Sequence, residues 1–249
     1  MRARHFFTEK SHSPREKPRG YGNIVQMKTC TEDIVRLMAR QPLFANCSTA
    51  TCVELQKILH IHAKCFSAGE MIVNEAAAAT NILAICSGRV HVYACGLEDD
   101  SRHLVQCLTE GDAFGTGFPV MDLEQYPAMI LAETEGVLLE IDVAATRQLL
   151  AGGRHLVFLR NLYTATARQG FAAGRKLALL SCYEVADRVL LYLRWRREDG
   201  HAEPFAINYP ELAAYLGVNR TALYRAIAAL KKAKKIKQVG QRITGAFVV

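Results

Sequence analysis

The hydrophobic pattern of the chain changes character near residue 153. Between about residues 44 and 142, short apolar runs are separated by Gly, Asn, Asp and Pro. These runs are "EMIVNEA", "NILAICSGRVHVYACG", "RHLVQCL", "AMILAET" and "VLLEID". Several alternate with period two, which predicts half-buried strands, and short strands with glycine turns favour a small β-barrel or roll. A short helix is expected before the first strand, at about residues 53–59, and after residue 153 the apolar positions follow a helical spacing.

Residues 208–227 contain two helical patterns joined by one glycine. The inward positions of both patterns are apolar: Leu212, Ala213, Leu216, Val218, Leu223 and Ala226. Gly217 can adopt the left-handed conformation that ends a first helix, and Asn219 is a good N-cap for a second. Asn208 and Glu211 have the spacing of a capping box at the start of the first helix. This layout predicts a helix-turn-helix.

The second helix would present polar groups that suit DNA bases and phosphates. Its outward positions are Asn219, Arg220, Thr221, Tyr224 and Arg225. The following apolar residues predict a two-stranded hairpin, which would form a wing. Those residues are Ile236, Val239, Ile243, Phe247 and Val248, with Gly240 in the turn. Lys235 and Lys237 are expected to contact phosphates, although a surface helical hairpin with a solvated lysine face is the alternative interpretation.

Charge is distributed unevenly along the chain. Residues 204–249 hold eight Lys and Arg side chains against one acidic residue, a net charge of +7. Residues 1–28 hold seven against two, a net charge of +5. Since the whole chain also carries +7, residues 29–203 together carry −5. A compact basic segment on an acidic body is typical of a nucleic-acid-binding protein.

Residues 153–180 predict a long helix with an imperfect apolar stripe. The stripe contains Leu156, Leu159, Leu162, Tyr163, Thr166, Gln169 and Leu177. Gly170 and Gly174 interrupt it, and each costs about 1 kcal/mol in a helix interior. The stripe fits either a coiled-coil dimer seam or one amphipathic helix that covers the roll. Ser181 and Glu184 have the spacing of a capping box for the next helix.

Three short glycine-containing motifs follow one another in the strand-rich part. They are "FSAGEMIVNE" at residues 66–75, "SGRVHVY" at residues 87–93 and "EGDAFG" at residues 110–115. Followed by a winged helix-turn-helix, this set resembles the Crp/Fnr family of transcription regulators, which includes the cyclic-AMP receptor protein. The resemblance covers nearly everything after residue 40.

The resemblance implies an α+β fold in which a cyclic-nucleotide-binding-like β-roll precedes a winged helix-turn-helix. We expect a disordered basic tail at residues 1–28 and an effector-sensing roll at residues 29–147. A dimerisation helix is expected at residues 148–180 and the DNA-binding domain at residues 181–249. The expected partners are an inverted-repeat operator in double-stranded DNA, a second copy of the chain and a small-molecule effector, with RNA polymerase as a further candidate.

The effector side departs from the cyclic-nucleotide binders of the family. Those proteins follow Phe-Gly with Glu and later place an Arg on the cyclic phosphate, whereas here Phe114 and Gly115 precede Thr116 and Gly117. The sequence has no Arg between Gly115 and Arg147. An anionic phosphate would lack its usual partner, so we expect an effector other than cyclic AMP. The expected pocket residues are Gly115, Thr116, Gly117, Phe118, Met121 and Met129.

Cysteine and histidine offer a second kind of sensing. The cysteines are Cys30, Cys47, Cys52, Cys65, Cys86, Cys95, Cys107 and Cys182, and they lack a C-x-x-C pair or a close N-terminal cluster. Most are expected to be small buried hydrophobes. The histidines at positions 60, 62, 91 and 103 are available as haem ligands, so a haem- or thiol-based redox or gas sensor of the same fold is the alternative. The cofactor stays unknown, and no metal site is predicted.

The sequence predicts a cytoplasmic transcription regulator without catalytic activity. No apolar run reaches the roughly 18–20 residues that span a bilayer, and the N-terminus lacks the apolar core of a signal peptide. No H-E-x-x-H, P-loop or nucleophile–base constellation is present. The competing interpretations are a cofactor-binding cytosolic protein and a regulatory module that docks on protein partners.

Overall fold

The structure is a computed structural model that describes residues 31–75, 77–95, 102–121, 123–240 and 242–245. The predicted tail at residues 1–28 lies outside these ranges, as do Phe247 and Val248 of the predicted wing. The described part forms two hydrophobic cores, one in the strand-rich half and one near the C-terminus.

The strand-rich half is a β-roll made of two antiparallel sheets. Its strands are β1 (His62–Phe66), β2 (Met71–Val73), β3 (Asn81–Ser87), β4 (Val90–Cys95), β5 (Arg102–Leu108), β6 (Ala113–Phe114), β7 (Met129–Ala132) and β8 (Gly136–Asp142). One sheet has the order β1-β8-β3-β6 and the other β2-β7-β4-β5. Each predicted alternating run contains at least one of these strands. The sequence did not predict β1 or the two-residue β6.

Three helices accompany the roll: α1 (Thr31–Ala39), α2 (Thr49–Ile58) and α3 (Val143–Gly152). The helix predicted at residues 53–59 begins four residues earlier, because the Ser48 side chain accepts a hydrogen bond from Thr51 N and caps it. Asp142 caps α3 in the same way through Ala145 N. Both caps anchor a helix at the edge of the roll.

The long helix α4 (Leu156–Ser181) follows α3 after a break at Gly153, whose φ is +61°. The segment predicted as one helix at residues 148–180 therefore contains the end of α3 as well as α4. Phe158 and Leu162 of α4 are buried in the core of the roll, where the Phe158 ring stacks on Phe44 at 5.4 Å.

The burial of α4 corrects the predicted dimer seam. Leu162 is only 4% exposed, so it cannot face a second chain, and Leu159 is half-buried against the roll. Leu156, Tyr163 and Leu177 of the same predicted stripe are exposed. The stripe therefore combines residues that pack on the roll with residues that face solvent.

The C-terminal part combines three helices with a small sheet. These elements are α5 (Val185–Glu198), β9 (Phe205–Ala206), α6 (Tyr209–Tyr215), α7 (Arg220–Lys232), β10 (Ile236–Val239) and β11 (Arg242–Gly245). The sheet has the order β10-β11-β9, and the sequence did not predict β9. A second core forms between the helices and the sheet. Among the described helices, none is long and apolar enough to cross a membrane.

The capping box predicted at Ser181 and Glu184 is wrong. Ser181 is the last residue of α4, and its hydroxyl donates to the Leu177 carbonyl 2.9 Å away. Glu184 is the N-cap of α5 without a side-chain capping bond. Because α4 continues one residue beyond its predicted end, the Ser181 hydroxyl bonds to the carbonyl four residues earlier and does not cap α5.

Candidate nucleic-acid interface and effector region

The helix-turn-helix is formed by α6, α7 and the turn between them. Gly217 has φ +64°, the left-handed conformation predicted for it. The Asn219 side chain accepts from Ala222 N at 2.8 Å and caps α7. Of the inward residues, five are buried and Val218 is partly buried. The predicted motif is confirmed, including both ends of its turn.

The start of α6 confirms half of the predicted capping box. The Asn208 side chain accepts from Glu211 N at 3.3 Å. The Glu211 carboxylate does not reach back to Asn208, because it pairs with Arg89 of the roll at 3.2 Å. The only acidic residue of the basic C-terminal segment is therefore held at the roll, 122 residues away in sequence from its partner.

The predicted DNA-facing side chains lie on the exposed side of α7. Arg220, Thr221 and Arg225 are exposed, and neither arginine makes an ion pair with another residue in the described ranges. Tyr224 is 53% exposed and stacks on Tyr209 of α6, with the ring centroids 5.3 Å apart. Both guanidinium groups are therefore available to contact DNA, and the stack on Tyr209 orients the Tyr224 ring.

The wing is a hairpin of β10 and β11, extended to three strands by β9. Lys235, just before β10, and Lys237, within it, are exposed, and their contacts with phosphates stay a prediction. Gln238 donates from Nε2 to the Tyr209 hydroxyl at 2.7 Å, so the wing is tied to α6 by a side-chain hydrogen bond. Tyr209 therefore contacts both the wing, through Gln238, and α7, through the stack with Tyr224.

The segment from Gly115 to Met121 packs against α4. Gly115 has φ +81°, and a Cβ there would lie 2.7 Å from the Phe118 ring. Thr116 is only 2% exposed, donates to Gln169 Oε1 and accepts from the Thr166 hydroxyl, both at 3.0 Å. The segment therefore contacts α4 through Thr166 and Gln169.

Sequence reasoning missed Arg147 in this region. Its guanidinium donates to the carbonyls of Pro119 and Met121, at 3.0 and 3.3 Å. Phe118 is buried and Met121 is exposed, whereas Met129 is buried on β7 of the other sheet, opposite Tyr93. Five of the six predicted pocket residues thus lie in one short segment, and Met129 belongs to a different wall of the roll.

A cleft of about 960 Å³ lies between the roll and the C-terminal part. Its lining includes Cys107 of β5, Arg175 of α4, Trp195 of α5 and Glu211 of α6. None of the six predicted pocket residues lines it. The Arg175 side chain is fixed in this cleft by Asp199 at 2.8 Å and by cation–π contact with Trp195 at 5.3 Å.

Three ionisable groups are displaced from their usual pKa: Cys107 and Lys176 at this junction, and Cys86 in the roll. Burial, the neighbouring Glu211 carboxylate and a hydrogen bond to it raise the pKa of the Cys107 thiol to about 12. Burial also raises the pKa of Cys86 to about 12. Conversely, burial lowers the pKa of Lys176 on α4 to about 8. Cys107 and Cys86 are therefore protonated near neutral pH and are weak nucleophiles.

Comparison with known proteins bears on the roll and on the whole fold. Residues 63–152 match the family of cyclic nucleotide-binding domains. The chain is similar to the c-di-GMP responsive global regulator CLP of Xanthomonas campestris, with 17% identity, a TM-score of 0.62 and coverage of 78% of this chain and 97% of that one. It is also similar to FixK2 from Bradyrhizobium japonicum, with 19% identity, a TM-score of 0.60 and coverage of 75% and 93%.

A third solved structure, a putative transcriptional regulator of the crp/fnr family from Eubacterium rectale, is 17% identical with a TM-score of 0.57. The match covers 83% of this chain and 94% of that chain. No curated protein sequence gives a significant match. At these identities the similarities establish a shared fold.

Proposed function

Since the chain has the fold of Crp/Fnr transcription regulators, with a cyclic nucleotide-binding domain at residues 63–152, we propose that it binds specific DNA sequences as an effector-controlled homodimer. The observation that carries this proposal is the outward face of α7. It presents Arg220 and Arg225 to solvent without ion-pair partners among the described residues, on a helix whose other face is buried. We propose no catalytic activity for the chain.

The two arginines suit direct reading of bases. An arginine side chain binds guanine O6 and N7 with two hydrogen bonds, and such a pair discriminates against the wrong base by about 1–3 kcal/mol. The reading helix of Crp/Fnr regulators resembles α7, but it carries an acidic residue where this chain has Thr221. A threonine hydroxyl is permissive, so the base pair that faces Thr221 is expected to be loosely specified. Lys235 and Lys237 would contact phosphates from the wing.

The exposed face of α4 supports the homodimer. Leu156, Tyr163 and Leu177 are 71%, 76% and 68% exposed and are separated by seven and fourteen residues. Residues seven apart lie on one side of a helix, which is the spacing of a coiled-coil seam. Gly170 completes the series and would allow two helices to approach closely. We propose this corrected seam in place of the one that included Leu159 and Leu162.

The effector is proposed to act through the contact between Thr116 and α4. A ligand that displaces the Gly115–Met121 segment must break the hydrogen bond that Thr116 donates to Gln169 and the one that it accepts from Thr166, and both partners belong to the proposed dimer helix. Such a ligand changes DNA affinity only if it binds one arrangement of the dimer better than another. Arg147 is already engaged by two carbonyl oxygens, which favours an effector other than cyclic AMP.

The thiol-based alternative receives less support. A redox-sensing cysteine needs a low pKa and access to solvent, whereas burial raises the pKa of Cys47, Cys52, Cys86 and Cys107. We therefore favour a small-molecule effector over direct oxidation of these four thiols.

Selection from a pool of randomised DNA tests the proposal. We expect the full-length protein to enrich inverted repeats whose half-sites lie about one helical turn apart and contain at least one guanine each. A variant with Arg220→Ala and Arg225→Ala provides the matched control, because both side chains are exposed and their loss leaves the core unchanged. If the native protein enriched no sequence, or the double variant enriched the same one, α7 would not be the reading helix.

A further inference from the structure

Three potential metal ligands of different chemistry meet at the junction between the roll and the helix-turn-helix. They are the imidazole of His91 on β4, the thiol of Cys107 on β5 and the carboxylate of Glu211 on α6. One ligand atom from each lies within 4.8 Å of the other two, and all three residues are half-buried. His91 and Cys107 are direct partners in the antiparallel pairing of β4 and β5, so the backbone fixes their side chains next to each other.

We propose that His91, Cys107 and Glu211 form a binding site for a divalent transition-metal ion of the zinc class. Thiolate, imidazole and carboxylate are the donors that zinc takes in proteins, usually in a tetrahedral set. Ligand atoms at zinc-binding distances and tetrahedral angles are about 3.5 Å apart. The present spacing therefore has to close by only about 1 Å, which side-chain rotation can supply.

Two buried atoms beside the cluster face each other. His91 Nε2 and Glu133 Oε2 are both shielded from solvent and lie 3.0 Å apart, and Arg89 Nη1 lies 3.4 Å from the same Glu133 oxygen. Within the described structure neither buried atom makes a hydrogen bond, which is costly and rare for buried polar atoms. A cation bound by both would satisfy them, with Glu133 as a fourth donor.

The other nitrogen of His91 already has the partner that metal-bound histidines need. Its Nδ1 lies 3.3 Å from the Tyr93 hydroxyl, two residues further along β4. A hydrogen bond at one ring nitrogen orients the imidazole and leaves the other nitrogen for the metal. Tyr93 would therefore act as a positioning residue, because it holds the ring without touching the ion.

The charges of the donors and of Arg89 together balance a divalent ion. Cys107 as thiolate, Glu133 and Glu211 would supply three negative charges. Arg89 supplies one positive charge, 3.4 Å from Glu133 and 3.2 Å from Glu211. Lys176 on α4 is a second nearby cation, engaged by the Tyr215 ring at 3.8 Å and by its carbonyl. Arg89, Cys107 and Glu211 line the 960 Å³ cleft, which gives an ion a route from solvent.

A metal ion at this site would connect the β-roll, which contains the proposed effector segment, with the helix-turn-helix, which contains the proposed DNA-binding surface. His91 and Cys107 belong to the roll, whereas Glu211 belongs to the first helix of the helix-turn-helix. Binding would favour the arrangement in which α6 rests on β5 over any arrangement in which they separate. The metal would therefore stabilise the position of α6 against the roll.

The test uses the full-length protein, stripped of metal with a chelator, and titrates it with Co²⁺ and Zn²⁺. We expect one tight ion per chain, with a near-ultraviolet sulfur-to-cobalt absorption band that Zn²⁺ removes. Cys107→Ser should lose the band, whereas the matched control Cys182→Ser, at the C-cap of α4, should keep it. Tyr93→Phe should weaken zinc binding by roughly 10–100-fold, the usual cost of removing an outer partner.

Glu211→Gln gives a second variant that does not alter the roll, and circular dichroism checks that each variant is folded. Zinc should slow amide hydrogen exchange in α6 of the native protein and leave it unchanged in Glu211→Gln. Absence of tight metal binding, undiminished binding in both Cys107→Ser and Glu211→Gln, or unchanged exchange in α6 would each overturn the proposal. None of these measurements uses DNA, so their failure and a failure to bind DNA can be told apart.

Discussion

The outward face of α7 and the Gly115–Met121 segment differ in how their residues are brought together. On α7, the exposed side chains lie within two helix turns of each other, and the helical period alone decides which of them point outward. The Gly115–Met121 segment depends on Thr166 and Gln169 of α4 and on Arg147 of α3. A site made by one helix tolerates change at its surface, whereas a site made by several elements fails when any of its supports is lost.

The largest expected effect separates the two faces of α4 at neighbouring positions. Leu162→Glu would place a charge in the core of the roll, so it should lower the free energy of unfolding by at least about 3–5 kcal/mol. Tyr163→Glu should leave the stability of the roll nearly unchanged but should dissociate the dimer. Thermal unfolding and analytical ultracentrifugation measure the two effects. Equal destabilisation by both variants would mean that Tyr163 is also a core residue.

The next largest effect is expected at the turn that shapes the effector segment. Gly115→Val combines a positive φ with overlap onto the Phe118 ring, and these together should cost about 2–4 kcal/mol. Gly152→Ala is the matched control, because a Cβ there meets nothing within 4 Å. Chemical denaturation of both variants checks the expectation. A fully stable Gly115→Val would show that the segment rearranges without loss and does not depend on its contacts with α4.

Single substitutions on the DNA-facing side should affect affinity without affecting stability. Arg225→Ala is expected to relax the preference at one base position and to cost about 1–3 kcal/mol in operator binding. Lys235→Ala should weaken binding to all sequences alike, because a phosphate contact carries no sequence information. Selection on randomised DNA distinguishes them. If the Arg225→Ala profile were unchanged and merely weaker, Arg225 would be a backbone contact.

The smallest effect concerns pH and the junction between α4 and α6. Burial lowers the folded-state pKa of Lys176 to about 8, below its ordinary value of 10.5. Below pH 8 the lysine is charged in both states and the burial penalty is fully present. Above pH 8 the folded state releases the proton before the unfolded state does, so the contribution of Lys176 to stability should rise with pH. The buried thiols of Cys86 and Cys107, whose pKa burial raises to about 12, contribute an opposing fall in the same range.

The contribution of Lys176 is the difference in stability between the native protein and Lys176→Met, measured between about pH 8 and 9.5, before tyrosines with ordinary pKa values begin to ionise. This difference should rise in favour of the native protein by less than about 1.4 kcal/mol per pH unit, the limit for one proton. Lys57→Met, at an exposed position of α2, should follow the native profile. A pH profile that Lys176→Met leaves unaltered would place the titrating group elsewhere.

The sequence predicted those parts of the molecule whose signals are local. The helix-turn-helix was recognisable because Gly217 and Asn219 determine its turn and apolar residues recur on one face of each helix. The strands of the roll were recognisable from alternation, except β1 and the short β6, and β9 of the C-terminal sheet was also missed. The α+β class and the resemblance to Crp/Fnr regulators are confirmed by the fold.

Features that depend on distant residues were missed or misassigned. The stripe on α4 contained two apolar faces, and the sequence could not say that Leu162 packs on the roll while Tyr163 does not. The capping box at Ser181 failed because α4 extends through that residue. The contacts of Arg147 and the pair between Arg89 and Glu211 have no sequence signal, since their partners become neighbours only after the chain folds.

The salt dependence of operator binding tests the central claim most directly. Each phosphate contact lowers the slope of log K against log salt concentration by about 0.9, so a dimer that uses Lys235 and Lys237 on both wings should give a slope of about −4 or steeper. Lys235→Ala should make that slope shallower by about 2, one contact for each chain of the dimer. A flat plot for the native protein, or an unchanged slope in Lys235→Ala, would contradict the assignment of α7 and its wing as a DNA-binding surface.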